Sequence, residues 1–264
     1  MTDAMTHAHH DLHTGNGAPA PRPRPTPPPV TTTAYVLCRG HLTWLGWTWV
    51  VTAMVFTVLM AMIVRFDGHL DASLWQGAGA SWQRYVIFAA GVTTMPSFLA
   101  MFVANGITRA QLAASSTIAM AAVALAGATF VIGGFVAEAV VFDATGWSQV
   151  LDSGEPVSSG PDLVVLGLRY ALLFCMWFTA GWLIGTGFYR YGFVRGVALI
   201  VPFAIPVLVC ELVVGRSAAS INVDAFTGLM NVPLALGLLL AVGLIVMNAT
   251  IARAFTRSTA VRAC

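Results

Sequence analysis

Three ionisable residues fall inside otherwise apolar stretches of the chain: Glu138, Arg169 and Glu211. A charge in such a place is costly unless it pairs, meets water or snorkels to the headgroups. Counted by helical rise from the predicted span ends, all three lie at similar depth, so Arg169 is expected to pair with Glu138 or Glu211. Such a cluster would serve either as a structural ion pair that fixes helix register or as a handle for a polar group of a substrate. The HAHHDLH run supplies His7, His9, His10 and His13, whose imidazoles could chelate a metal. A flexible tract pays the full ordering entropy on binding, so no metal site is assigned. Cys38, Cys175, Cys210 and Cys264 have neither zinc nor disulfide spacing. No phosphate-cradling GxxxxGK[ST], HExxH or GxSxG pattern occurs, so the chain reads as a non-enzyme without a cofactor of its own.

The elements that must hold these residues are membrane helices. Of 264 residues, 58% are hydrophobic and 9% charged, against about 25% charged in ordinary soluble domains. A water-soluble fold is thereby excluded, and nothing resembles a basic patch for nucleic acid. At about 20 apolar residues per crossing, the fold class is all-α with six spans, near 44–65, 84–104, 112–142, 162–187, 196–215 and 227–252. Residues 1–33, rich in Pro, His and Thr, read as a disordered tail; the first apolar run lies too far in for a cleavable signal. The six-helix unit then occupies 34–264, opening with a mildly amphipathic lead-in at 34–43 that could lie along the membrane surface.

Pro96 interrupts the second span, Pro202 and Pro206 the fifth, and Pro233 lies near the start of the sixth. Each removes a backbone donor and is expected to bend its helix. Gly181 and Gly185 form a small-xxx-small pair that lets another helix approach. Trp44, Trp47 and Trp49 at one end of the spans, and Trp75, Trp82 and Trp147 at the other, read as interfacial belts.

All thirteen basic side chains are Arg. Nine of them, Arg22, Arg24, Arg39, Arg109, Arg190, Arg195, Arg253, Arg257 and Arg262, fall on the N-terminal segment before the first span, the short turns at 105–111 and 188–195 and the C-terminal segment. The positive-inside rule therefore places both termini in the cytoplasm of a multi-pass protein of the cell membrane.

Residues 95–109 read MPSFLAMFVANGITR: a proline-bearing second span runs into a short Asn-Gly-Ile-Thr-Arg turn, and a small-residue-rich span follows. This resembles the permease subunits of ATP-binding-cassette exporters of the compact six-span actinobacterial type, which carry a Gly-Val-Thr-Arg-like turn at this place. The resemblance implies a homodimer in the membrane, surrounded by lipid. It further implies a separate soluble ATPase that binds ATP and Mg, and contact with that ATPase through Asn105, Gly106, Ile107, Thr108, Arg109 and Gln111. Two other readings of the residues stand beside it. One is a membrane scaffold or sensor that transports nothing. The other is an ion-coupled secondary carrier using Glu138 and Glu211 as proton sites.

Overall fold

A computed structural model describes residues 30–66, 68–70, 72–151, 160–214 and 232–260. The Pro/His tail, much of the 143–161 loop and the 216–226 loop lie outside these residues. The described chain is all helix, without a β-strand, in the order α1 (Val30–Arg65), a π-helical turn (Gln76–Ala80), α2 (Ser81–Ala104), α3 (Arg109–Thr145), α4 (Gly160–Tyr191), α5 (Phe193–Ala198), α6 (Ile200–Val214) and α7 (Leu234–Ser258). With α5 and α6 counted as one interrupted crossing, six helices are long and apolar enough to span a membrane. The chain is a multi-pass membrane protein.

The helix ends follow from local chemistry. Thr108 caps α3: its hydroxyl accepts from the Gln111 amide and the Gln111 side chain accepts from the Thr108 amide, a reciprocal capping box. The same helix stops at Gly146, whose φ of 73° is open to glycine at little cost. Gly192, at φ 80°, separates α4 from α5. The break after Ala198 is set by Pro202, whose ring would collide with a helical carbonyl four residues earlier. Pro202 thus sits in the first turn of α6, where its missing amide costs nothing, while Pro206 and Pro96 lie within helices. Pro233 is not a break at all. It is the N-cap residue from which α7 starts, so the sixth helix begins seven residues later than the span expected at 227–252.

The helices differ in reach. Trp82 Nε1 donates to Thr52 Oγ1 at 3.0 Å and Trp49 Nε1 to Gln83 Oε1 at 3.0 Å, so the start of α2 lies beside residues 49–52 of α1. Arg84 bonds Glu211, which brings the end of α6 to the same level; Gly237 packs on Val213, which brings the start of α7 there too. Helix α1 continues thirteen residues past Thr52, about 20 Å at helical rise. Helices α3 and α4 project with it, and the segment before α2 folds back between α1 and α3. At 36, 37 and 32 residues, these three helices exceed the roughly 20 residues that a perpendicular crossing needs.

The tightest seam joins α2 to α4. A Cβ on Gly181 would stand 2.2 Å from the Phe88 carbonyl, one on Gly185 2.2 Å from that of Val92, and one on Gly91 2.3 Å from that of Phe178. Only glycine lets the two backbones touch in this way. Pro96 offers no amide to the Val92 carbonyl, and Gly185 packs directly on that oxygen. The small-residue pair expected to admit a neighbour therefore admits α2 of the same chain.

The 34–43 segment is the beginning of α1 and not a separate surface helix. Ala34, Leu37 and His41 form a buried stripe along it. His41 lies within 3.4 Å of Thr94 Oγ1 and packs edge-on against Phe98 and Phe178. The helix also takes in Val30 to Thr33, which the sequence assigned to the tail.

Candidate functional site

Two buried polar groupings and one exposed turn are the chemically distinctive places among the described residues. The first grouping is centred on Glu138 of α3, fully enclosed. Its carboxylate accepts from the Ser73 hydroxyl, from the Trp75 backbone amide at 2.8 Å and from Gln149 Nε2 at 2.8 Å. All three donors are neutral. They lie on the segment that folds back before α2 and on the loop after α3, which are further joined by the Ser73 amide donating to the Val150 carbonyl. Glu138 thus pins two loops to the projecting end of α3.

The second grouping is an ion pair. Arg84 Nη1 of α2 lies 3.1 Å from Glu211 Oε1 of α6, and Trp177 Nε1 of α4 donates to the same oxygen at 2.7 Å. Arg84 also bonds the Ser81 carbonyl through Nε at 2.7 Å and lies over the Tyr85 ring. Glu211 Oε2 has no hydrogen-bond partner among the described residues and borders a void of about 10 Å³. A buried charge left alone is expensive, so three helices are held in register by this contact.

Glu211 pairs with Arg84, a partner other than the Arg169 that was expected. Glu211 contacts Trp177, eight residues beyond Arg169 on α4 and about 12 Å deeper; Glu138 is already satisfied by neutral donors. The equal depth read from the sequence assumed helices that begin at a common level, and these do not. Arg84, the first residue of the span expected at 84–104, is the partner of Glu211. Its position three residues into α2 disguised it, because the ends of the projecting helices lie well beyond the start of α2. Trp75 is likewise no belt residue. It is 2% exposed, donates from Nε1 to the Val131 carbonyl at 2.8 Å and packs against Phe56 and Phe130. Trp49 stacks on Phe130, whereas Trp44 and Trp47 are exposed.

The turn at residues 105–108 is small and fully braced. Asn105 Nδ2 donates to the Met101 carbonyl at 2.7 Å, the Gly106 amide to Val103 and the Ile107 amide to Phe102, both at 3.0 Å. Gly106 has φ 80°, outward-facing and with open space where a Cβ would be. Ile107 turns inward to a cluster with Leu37, Phe102, Leu112 and Leu183. Of the six residues expected to meet a partner, Ile107 is therefore buried and Gln111 folds its side chain back onto the cap. Asn105, Gly106 and Thr108 are exposed, and Arg109 is half-exposed. The same end of the bundle carries Arg190, Arg195, Arg253 and Arg257. Arg190 bonds Ser258 Oγ at 2.6 Å and lies over the Tyr191 ring, tying the end of α4 to that of α7.

No cluster of three or more His, Cys, Asp or Glu with metal-binding geometry occurs among the described residues; His7, His9, His10 and His13 lie outside them. Cys175 and Cys210 are apolar packing residues within α4 and α6. Searches of family models, of curated proteins and of solved structures find no match to this chain.

Proposed function

We propose that this protein is the membrane permease half of an ATP-binding-cassette exporter, working as a homodimer and powered by a separate soluble ATPase that binds Mg-ATP. The observation that supports the reading most is the build of the 105–108 turn. Hydrogen bonds and a buried Ile107 anchor hold it rigid, yet it presents Asn105, Gly106, Thr108 and part of Arg109 outward. A protruding backbone beside a cation is a suitable foothold for a partner, because the ordering entropy has already been met by the fold. The excess of Arg at this end of the bundle favours a cytoplasmic position for it.

Force applied at the turn has a defined path. Helix α2 rises directly from it and is locked to α4 through Gly91, Gly181 and Gly185, so the two move as one body. Helix α4 meets α6 through Trp177 and Glu211, and the α5–α6 crossing has its own break at Leu199. A pull on the turn would then tilt α2 and α4 together and bend the fifth crossing at that break, shifting the bundle between inward-open and outward-open forms. The chain's own part is to supply the path and the two arrangements; hydrolysis belongs to the partner.

An ion-coupled carrier would need a carboxylate that reaches water. Glu138 and Glu211 are 0% and 4% exposed and engaged by their neighbours, which favours the exporter. The test is purification of the full chain from its native membranes in mild detergent, with residue 105 labelled as a lone cysteine in a background whose native cysteines are replaced by alanine. The expected result is a co-eluting soluble ATPase and labelling only from the cytoplasmic face. Labelling from outside, or substrate movement by the chain alone, would overturn the reading.

A further inference from the structure

Between the projecting parts of α1 and α3 runs an apolar groove of about 960 Å³, lined on the α1 side from Ala53 to Arg65 and on the α3 side from Phe130 to Val141. Its floor is Phe56, Met60 and Trp75, all nearly fully buried. Its α3 wall is low because residues 133 and 134 are both glycine.

The polar side-chain atoms of the groove other than Arg65 are already used. Thr57 Oγ1 donates to the Ala53 carbonyl at 2.8 Å and Trp75 Nε1 to the Val131 carbonyl at 2.8 Å. Among the described residues, what faces an occupant is therefore chiefly hydrocarbon, with one exposed cation, Arg65, at one end. The length is informative too. Ala53 to Arg65 spans twelve residues, about 18 Å, close to the roughly 15 Å of one leaflet's hydrocarbon. A linear apolar slot one leaflet long with a cation at its mouth matches a molecule having an extended alkyl chain and an anionic head.

We propose that this groove holds one acyl chain of an anionic phospholipid, with Arg65 paired to the headgroup. The lipid braces the projecting end of α1, which among the described residues packs chiefly on α3 and the folded-back segment, and the site is independent of any ATPase.

The two glycines separate the test from folding. A Cβ on Gly134 would lie 1.9 Å from the Trp75 ring, whereas a Cβ on Gly133 meets nothing within 4 Å. Gly133→Leu therefore fills the groove without disturbing its floor, and Ala61→Leu does so from the opposite wall. The full chain, purified in a neutral detergent, is titrated with dioleoyl-phosphatidylglycerol or dioleoyl-phosphatidylcholine and read by native mass spectrometry, with size-exclusion profiles confirming that each variant is folded. The wild type should retain one phosphatidylglycerol per chain, with roughly threefold preference over phosphatidylcholine, as one exposed charge contact supports. Gly133→Leu and Ala61→Leu should each weaken retention about tenfold. Arg65→Gln should abolish the preference while keeping the weaker, charge-independent binding. Equal retention by wild type and both filled variants would overturn the proposal. So would a wild-type dimer that Gly133→Leu dissociates, since a second copy would then cover the groove.

Discussion

At the Arg65 end of the bundle polar side chains turn inward: Glu138 gathers Ser73, Trp75 and Gln149, and deeper in, Glu211 gathers Arg84 and Trp177. At the opposite end they turn outward, and the 105–108 turn spends its hydrogen bonds on its own backbone while leaving its surface clear. The first arrangement seals loops to helices, and the second offers a braced edge to something outside the chain. A second difference lies within the inward-turned groups. Glu138 is held by neutral donors, whereas Glu211 faces a full charge, so removing each carboxylate should have unequal consequences.

That inequality gives the largest expected effect. Glu211→Gln removes the carboxylate that Arg84 pairs with in a buried site and should cost about 3–5 kcal/mol, seen as a large drop in melting temperature in detergent. Arg84→Met combined with Glu211→Leu should recover most of the loss, because no lone charge remains. Glu138→Gln should cost no more than about 1 kcal/mol. Gln149 Oε1 has no partner among the described residues, and an amide at 138 can pair with a flipped Gln149 while still accepting from the Trp75 amide. Equal melting temperatures for Glu138→Gln and Glu211→Gln would remove the distinction between the two groups.

Next in size is the α2–α4 glycine seam. Gly185→Ala forces a methyl against the Val92 carbonyl and should cost about 1–3 kcal/mol, with folded yield and melting temperature as the measures. The smallest effect belongs to the cap. Thr108→Ala removes one reciprocal bond of the capping box and should cost about 1 kcal/mol, seen as faster hydrogen exchange confined to the first turn of α3.

Much of this architecture is readable in the residues. The six crossings follow from apolar run lengths, a close helix approach at Gly181 and Gly185 from their spacing, though not which helix makes it, and the break in the fifth crossing from Pro202. The Thr108-x-x-Gln111 spacing also announces a helix start, although Gln111 was assigned to a partner instead of to the cap. What could not be read is depth. Hydropathy locates each apolar run along the chain but not its level beside its neighbours, and a shift of thirteen residues along α1 moves Arg84 from a membrane edge to a buried pair. The same shift turns Trp75 from an interfacial ring into the floor of the α1–α3 groove. Composition along one helix contains no signal for such an offset between helices.

The claim that the outward-facing turn is where the chain receives its energy is tested most directly by ATP-driven transport in vesicles containing the chain with its co-purified ATPase, for wild type and Arg109→Glu side by side. Arg109 is half-exposed at the first turn of α3, so reversing it leaves the fold intact. The account predicts that ATP hydrolysis continues or falls modestly while substrate movement is lost. Undiminished transport by Arg109→Glu, or wild-type transport with no ATPase present, would contradict it.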